Sequence, residues 1–316
     1  MIDIQNRGHH GAVAVAPVSG SSRRRPRGAV VVGVDGSARN RAAVAWAVHE
    51  AASTARSLTL VSVLGDYEVP IPHHSVGTDE DRDWKMLRRL ASDIARDRPE
   101  LTVCHEMDAD GTVTALLARS VDQGLLVVGK RGLGTFARAL IGSTSIAVAG
   151  RSRVPVVVVP DSWAGIRHGH QPVVVGLDPN DEHSEALAYA FTAARRRGVT
   201  LVVAHGWETQ PMLVRSTSAT CVDAAYWKEH GLRRVSDAVA ALRAEFDDVR
   251  VELVHRRGHP ATVLLELAED AQLLVVGRHD DGRLGGFAFG SVTRSVLHHA
   301  EVPVAVVPSA SLRRPR

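Results

Sequence analysis

Much of this chain is written twice, and a chain that repeats itself at domain length folds as repeated units. The segment AVVVGVDGS at 29–37 returns as PVVVGLDPN at 172–180, and LTLVSVLG at 58–65 returns as VTLVVAHG at 199–206. GLLVVGKRG at 124–132 returns as QLLVVGRHD at 272–280, and RVPVVVVP at 153–160 returns as EVPVAVVP at 301–308. The offset is 143 residues between Asp35 and Asp178 and 148 between Gly129 and Gly277, so the second copy gains five residues between those points. The two units span 29–160 and 172–308, joined by the His-rich linker DSWAGIRHGHQ at 161–171 and flanked by tails at 1–28 and 309–316.

Within each copy, short Val-rich runs alternate with longer helical patterns. Unbroken apolar runs at 30–34 and 154–159 suit strands covered on both faces, as in a parallel sheet. Between them, 39–55 is Ala-rich with Ala43, Ala47 and Ala51 four apart, and 81–98 carries Trp84, Leu87, Leu90 and Ile94 at helical spacing. Alternation of this kind predicts a doubly wound α/β unit in each half.

Charge excludes some partners. The pI of 9.2 comes from the tails: without Arg7, Arg23, Arg24, Arg25, Arg27, Arg313, Arg314, Arg316 and Asp3, the body keeps 30 basic and 34 acidic residues. A mildly acidic body is a poor footprint for nucleic acid. No apolar run approaches the roughly 20 residues that cross a bilayer. The basic cluster of the first tail follows its short apolar stretch, the reverse of a secretory signal. Gly, Pro, Ser and Arg there predict disorder. Cys104 and Cys221 share no metal or disulfide spacing and read as packing residues in a reducing cytoplasm. Sixteen histidines form no set with carboxylate or thiolate partners, so no metal site is expected.

The chemistry gathers at two strand ends. In open α/β sheets, ligands sit beyond the carboxyl ends of the strands, where the winding direction switches. The first strand ends in Gly33-Val34-Asp35-Gly36-Ser37, and the fourth runs into GKRGLGTFARALIGSTS at 129–145. Gly129, Gly132 and Gly134 permit a close backbone approach. Gly142, Ser143 and Thr144 open a helix whose unpaired N–H groups and dipole favour an anion. Lys130 and Arg131 add positive charge, and a polyphosphate fits the description.

The pattern Gly-x2-Gly-x9-Gly-Ser, met by Gly129, Gly132, Gly142 and Ser143, resembles the nucleotide-binding motif of the universal stress protein family. So do the VGVDGS first strand and the VPVVVVP last strand, and the likeness covers both halves. The resemblance implies a tandem member of the ATP-binding type. It implies two Rossmann-like (adenine nucleotide alpha hydrolase-like) domains, each a five-stranded parallel sheet of order 3-2-1-4-5 with helices on both faces. By residue match, Gly33 and Asp35 would face the nucleoside. Gly129, Lys130, Arg131, Gly132, Leu133, Gly134 and Thr135, with Ser143 and Thr144, would face the phosphates. The corresponding set in the second half is Gly176, Asp178, Gly277, Arg278, Gly282, Gly290, Ser291, Val292 and Thr293. The family order also makes the Pro-flanked fifth strands edges that seek partners. Pairing of 154–159 with 302–307 would join the halves as a pseudo-dimer, and homodimerisation beyond it is implied as well.

The second half departs from the motif: Asp280 stands where Gly132 does, followed by Asp281. Two carboxylates beside a triphosphate repel it unless Mg2+ bridges them. The first half is therefore expected to bind nucleotide more tightly. Plainer readings stand beside these. A glycine after a buried strand often serves only a turn, and Asp35 could cap the following helix instead of touching ligand. GLGTFA at 132–137 fits a dinucleotide fingerprint but follows the fourth strand, and no P-loop motif occurs. The expectation is a cytoplasmic, non-catalytic, ATP-binding regulator that signals to a protein partner. A slow ATP hydrolase or nucleotidyl-transfer enzyme using Asp35 and Mg2+ is one alternative, and a scaffold with vestigial sites is another.

Overall fold

A computed structural model describes residues 28–63, 76–121, 123–132, 141–166, 169–179, 185–208, 220–278 and 289–309. The first half runs β1 (Val30–Val34), a 3-10 turn (Ala38–Asn40), α1 (Arg41–Ser53), β2 (Leu58–Val63) and α2 (Val76–Asp97). It continues with β3 (Val103–Asp108), α3 (Thr112–Ser120), β4 (Leu125–Gly129), α4 (Ser143–Arg151) and β5 (Val156–Val159). The second half repeats the order: β6 (Val173–Gly176), α5 (Glu185–Arg197), β7 (Leu201–Trp207), α6 (Thr220–Arg243) and β8 (Val251–Arg257). α7 (Pro260–Ala268), β9 (Leu273–Arg278), α8 (Ser291–His299) and β10 (Val304–Pro308) complete it.

All ten strands join one sheet in the order β3-β2-β1-β4-β5-β10-β9-β6-β7-β8. Each half thus has the expected order 3-2-1-4-5. Pairing within each half is parallel, and the halves meet where β5 and β10 run antiparallel, with Val156 opposite Val306 and Val158 opposite Val304. The two fifth strands do find each other, inside the chain.

The strand period of two divides the core. Val30, Val32, Val34, Leu125 and Val127 face α1 and α2, while Val31, Leu126 and Val128 face α3 and α4. The second half sorts in the same way, with α5 and α6 over one face and α7 and α8 over the other. Ala43, Ala47 and Ala51 are fully buried, so α1 lies close to the sheet on a methyl-wide stripe. α2 begins five residues before the expected 81 and buries Leu87 and Ile94, while Trp84 stays half-buried with its ring edge-on to His105 of β3. Cys104 is half-buried and free, whereas the side chains of Cys221 and Trp227 lie outside the described residues.

Candidate functional site

The carboxyl ends of β1 and β4 are neighbours, because Val30, Val31 and Val32 pair with Leu125, Leu126 and Val127. Their loops therefore share one mouth. Asp35 turns back on its own chain, its Oδ1 accepting from the Ser37 N–H at 2.9 Å. Gly36 takes φ +73°, a left-handed conformation that suits only glycine at low cost. Ser37, not Asp35, caps the 3-10 turn, its hydroxyl accepting from Asn40 N–H. Buried Asn40 then donates through Nδ2 to Gly33 O at 3.0 Å and pins the strand end.

The second wall is the start of the glycine loop. Gly132 lies so close to Asp35 that a Cβ there would fall 2.6 Å from Oδ2, so no larger residue fits without moving the carboxylate. At Gly129 a Cβ would come within 3.1 Å of Arg131 O. The loop closes when Gly142 N–H donates to Lys130 O at 2.8 Å. Gly142 is the N-cap of α4 and supplies no side-chain cap to the first-turn amides, beside exposed Ser143 and half-buried Thr144. Buried Ser145 donates to Gly129 O at 2.6 Å and ties the helix start to the strand end.

Two expected contributors point elsewhere. Lys130 reaches across the junction and donates from Nζ to Ala300 O at 2.9 Å, at the carboxyl end of α8. Burial, and then the Arg131 charge, push its pKa below the ordinary lysine value. Its counterpart Arg278 does the reciprocal thing, donating from Nη1 to Ala149 O near the end of α4. Each half thus supplies a cation to the negative helix end of the other. Arg131 is held by Asp161 of the linker, with Nη2 2.8 Å from Oδ2. The positive charge read beside the loop is real in sequence but is spent on the domain junction.

Gly33 and Gly176 also have another reason for their bareness. A Cβ at Gly33 would meet Leu116 of α3 at 3.3 Å, and one at Gly176 would meet Leu264 of α7 at 2.7 Å. Both glycines admit a leucine from the covering helix, and that packing accounts for them without a nucleoside.

The second half repeats the frame. Gly290 caps α8 with no side-chain bond, Ser291 is exposed, and Val292 is half-buried against the core. Thr293 donates to Gly277 O at 3.0 Å, reproducing the Ser145 tether, so its hydroxyl is turned inward. Exposed Asp178 borders a shallow pocket with Arg234 and Asp237 of α6. Leu133, Gly134, Thr135, Asp280, Asp281 and Gly282 lie outside the described residues. Asn40, Ser145 and Asp161 shape the site and were not singled out from sequence. Asn40 and Ser145 have side chains aimed at carbonyls of neighbouring strand ends, which single-sequence spacing does not signal.

Fold and mouths together define a tandem, doubly wound α/β protein with a bare helix N-terminus at the crevice of each half. The model of the universal stress protein family matches residues 27–160 and 169–308. The chain belongs to that family. It is 32% identical over 294 residues to universal stress protein Rv2005c of Mycobacterium tuberculosis (strain ATCC 25618 / H37Rv), covering 90% of this chain and 98% of that one. A relative from Mycolicibacterium smegmatis (strain ATCC 700084 / mc(2)155) is 31% identical over 293 residues, with 88% and 96% covered. In fold it is similar to a universal stress protein from Archaeoglobus fulgidus DSM 4304, at TM-score 0.65 and 20% identity over 89% of this chain and 96% of that one. A crystal structure of a universal stress protein from Pseudomonas aeruginosa UCBPP-PA14 superimposes at TM-score 0.64 and 15% identity, over 92% and 96%.

Proposed function

We propose that the first half binds an adenine nucleotide, ATP foremost, at the mouth between β1 and β4, and that the protein works as a nucleotide-dependent regulator. The observation that carries this reading is the approach of Gly132 to Asp35 beside the uncapped start of α4. Main-chain amides there suit phosphate oxygens, and the Asp35 carboxylate suits the hydroxyl groups of a ribose. With Lys130 and Arg131 committed elsewhere, the amides and the helix dipole are the main attraction for charge. Any Mg2+ would be held chiefly by the phosphates, since among the described residues no three acidic, His or Cys side chains gather. Among the described residues, Asp35 is the carboxylate at this mouth placed to join it.

Hydrolysis needs a base that positions water or an activated nucleophile, and the described mouth offers only Asp35. A regulator is therefore favoured over an enzyme. A second copy of the chain would have to dock through surfaces other than the fifth strands, because β5 and β10 are already paired. Native mass spectrometry of the purified protein is expected to show an adenine nucleotide retained, with phosphate release equally negligible in wild type and Asp35→Asn. Failure to retain or take up ATP overturns the reading, and Asp35-dependent turnover replaces it with the enzymatic one.

A further inference from the structure

A second concavity lies at the amino-terminal ends of β4 and β5, the far end of those strands from the Gly132 mouth. Its volume is about 720 Å3, within the range of small-molecule sites. The walls come from both halves: Arg56 and Arg153 from the first, Arg196 and Arg197 at the end of α5 from the second. Arg197 is neutralised by an ion pair with buried Glu50. Arg56, Arg153 and Arg196 make no ion pair among the described residues, and Glu185 is the other carboxylate on the lining.

The arrangement is built rather than incidental. The Arg56 guanidinium lies over Gly124, where a Cβ would fall 2.8 Å from Nη1 and 2.9 Å from Gly28 O, so the bare floor admits both the guanidinium and the chain at Gly28. Gln123 beside it is fixed by accepting from Ala29 N–H at 2.9 Å. Partial desolvation, followed by the Arg56 charge and opposed by Glu50, lowers the pKa of Arg196, which puts the like charges of Arg56 and Arg196 within electrostatic reach of each other. Neighbouring guanidinium groups repel unless an anion lies between them, and their planar forks match the oxygens of phosphate.

We propose that this cavity binds a small molecule carrying at least two phosphate groups, which bridges Arg56 and Arg153 of one half to Arg196 of the other. The site is separate from the nucleotide mouth and stands whether or not that mouth takes ATP. Calorimetric titration of the full chain with pyrophosphate tests it, using wild type, Arg153→Gln/Arg196→Gln and Gly132→Asp. The arginine-dependent binding is expected to weaken about tenfold or more in the double variant and to survive in Gly132→Asp, which removes only the pyrophosphate that the first mouth takes. Arg153 and Arg196 are exposed, so the double variant keeps its melting temperature. Arg153→Lys/Arg196→Lys, which retains charge without the fork, is expected to fall between. Undiminished binding by the double variant overturns the proposal, as does loss confined to Gly132→Asp or absence of binding to wild type. Citrate binding as tightly as pyrophosphate overturns the phosphate assignment.

Discussion

At the scale of single residues, the glycines divide by what stands where their Cβ would be. Backbone cannot yield as a side chain can. At Gly206 a Cβ would fall 2.7 Å from Pro260 Cα, at Gly176 2.7 Å from the tip of Leu264, and at Gly33 3.3 Å from Leu116. Substitution by Ala is therefore expected to destabilise in the order Gly206, Gly176, Gly33, with the first at or above about 3 kcal/mol and the last near 1. Urea denaturation of the three variants checks the ranking, and Gly33→Ala as the worst would contradict it. Glu50 is buried, and Glu50→Gln strips the charged partner from half-buried Arg197, at an expected cost of about 3 kcal/mol. Histidine sets the acid response. Burial holds His205 of β7 below its ordinary value of 6.5, against the opposing pull of Leu177 O and Asp178, and His49, His105 and His298 are lowered as well, with burial the first cause of each. Below 6.5 the unfolded chain therefore binds more protons at these histidines than the folded one, so stability falls as pH drops through that window. Melting curves at pH about 7.5 and about 5.5 are expected to show the loss, with a smaller loss in His205→Gln.

At the scale of elements, the reciprocal caps are the feature that spacing alone could not reveal. Lys130 follows β4 and Arg278 ends β9, and the resemblance placed both beside phosphate. The structure turns them onto the carboxyl ends of α8 and α4 instead. Arg278→Met is expected to cost about 1.5–3 kcal/mol, the worth of a buried hydrogen bond from a charged donor, and Lys130→Met less because it is half-exposed. Both variants are expected to leave ATP affinity within about twofold by calorimetry, since neither side chain faces the mouth. A large loss of affinity in Lys130→Met would restore the phosphate role. Strand positions were legible, because continuous Val runs buried on both faces have few other ways to fold, and β1 has the expected bounds. The Ala stripe of α1 was legible for the same reason. The direction of a long cation was not, since it depends on which helix end lies within reach across a junction far away in sequence. The glycines at 33 and 176 were visible, but their cause, a leucine on a helix more than 80 residues downstream, was not.

At the scale of the whole molecule, pairing β5 with β10 uses up the two most apolar edges and leaves β3 and β8 outermost. Those edges carry charge. On β3, Glu106 and Asp108 share Arg119, and on β8, Arg256 meets Glu266 of α7. Charged edges resist further strand addition. The continuous sheet and the crossed caps also tie the halves together, so heating is expected to give one calorimetric transition, which Lys130→Met/Arg278→Met would broaden or split. At the first mouth, we propose, main-chain amides beside Asp35 hold the phosphates of ATP. The most direct test is calorimetric titration of ATP into wild type and Gly132→Asp, after matched melting curves establish that the variant is folded. The account predicts affinity at least about tenfold weaker in Gly132→Asp, because the new side chain collides with Asp35 and sets a second carboxylate before the triphosphate. Equal affinity in the two proteins would contradict it.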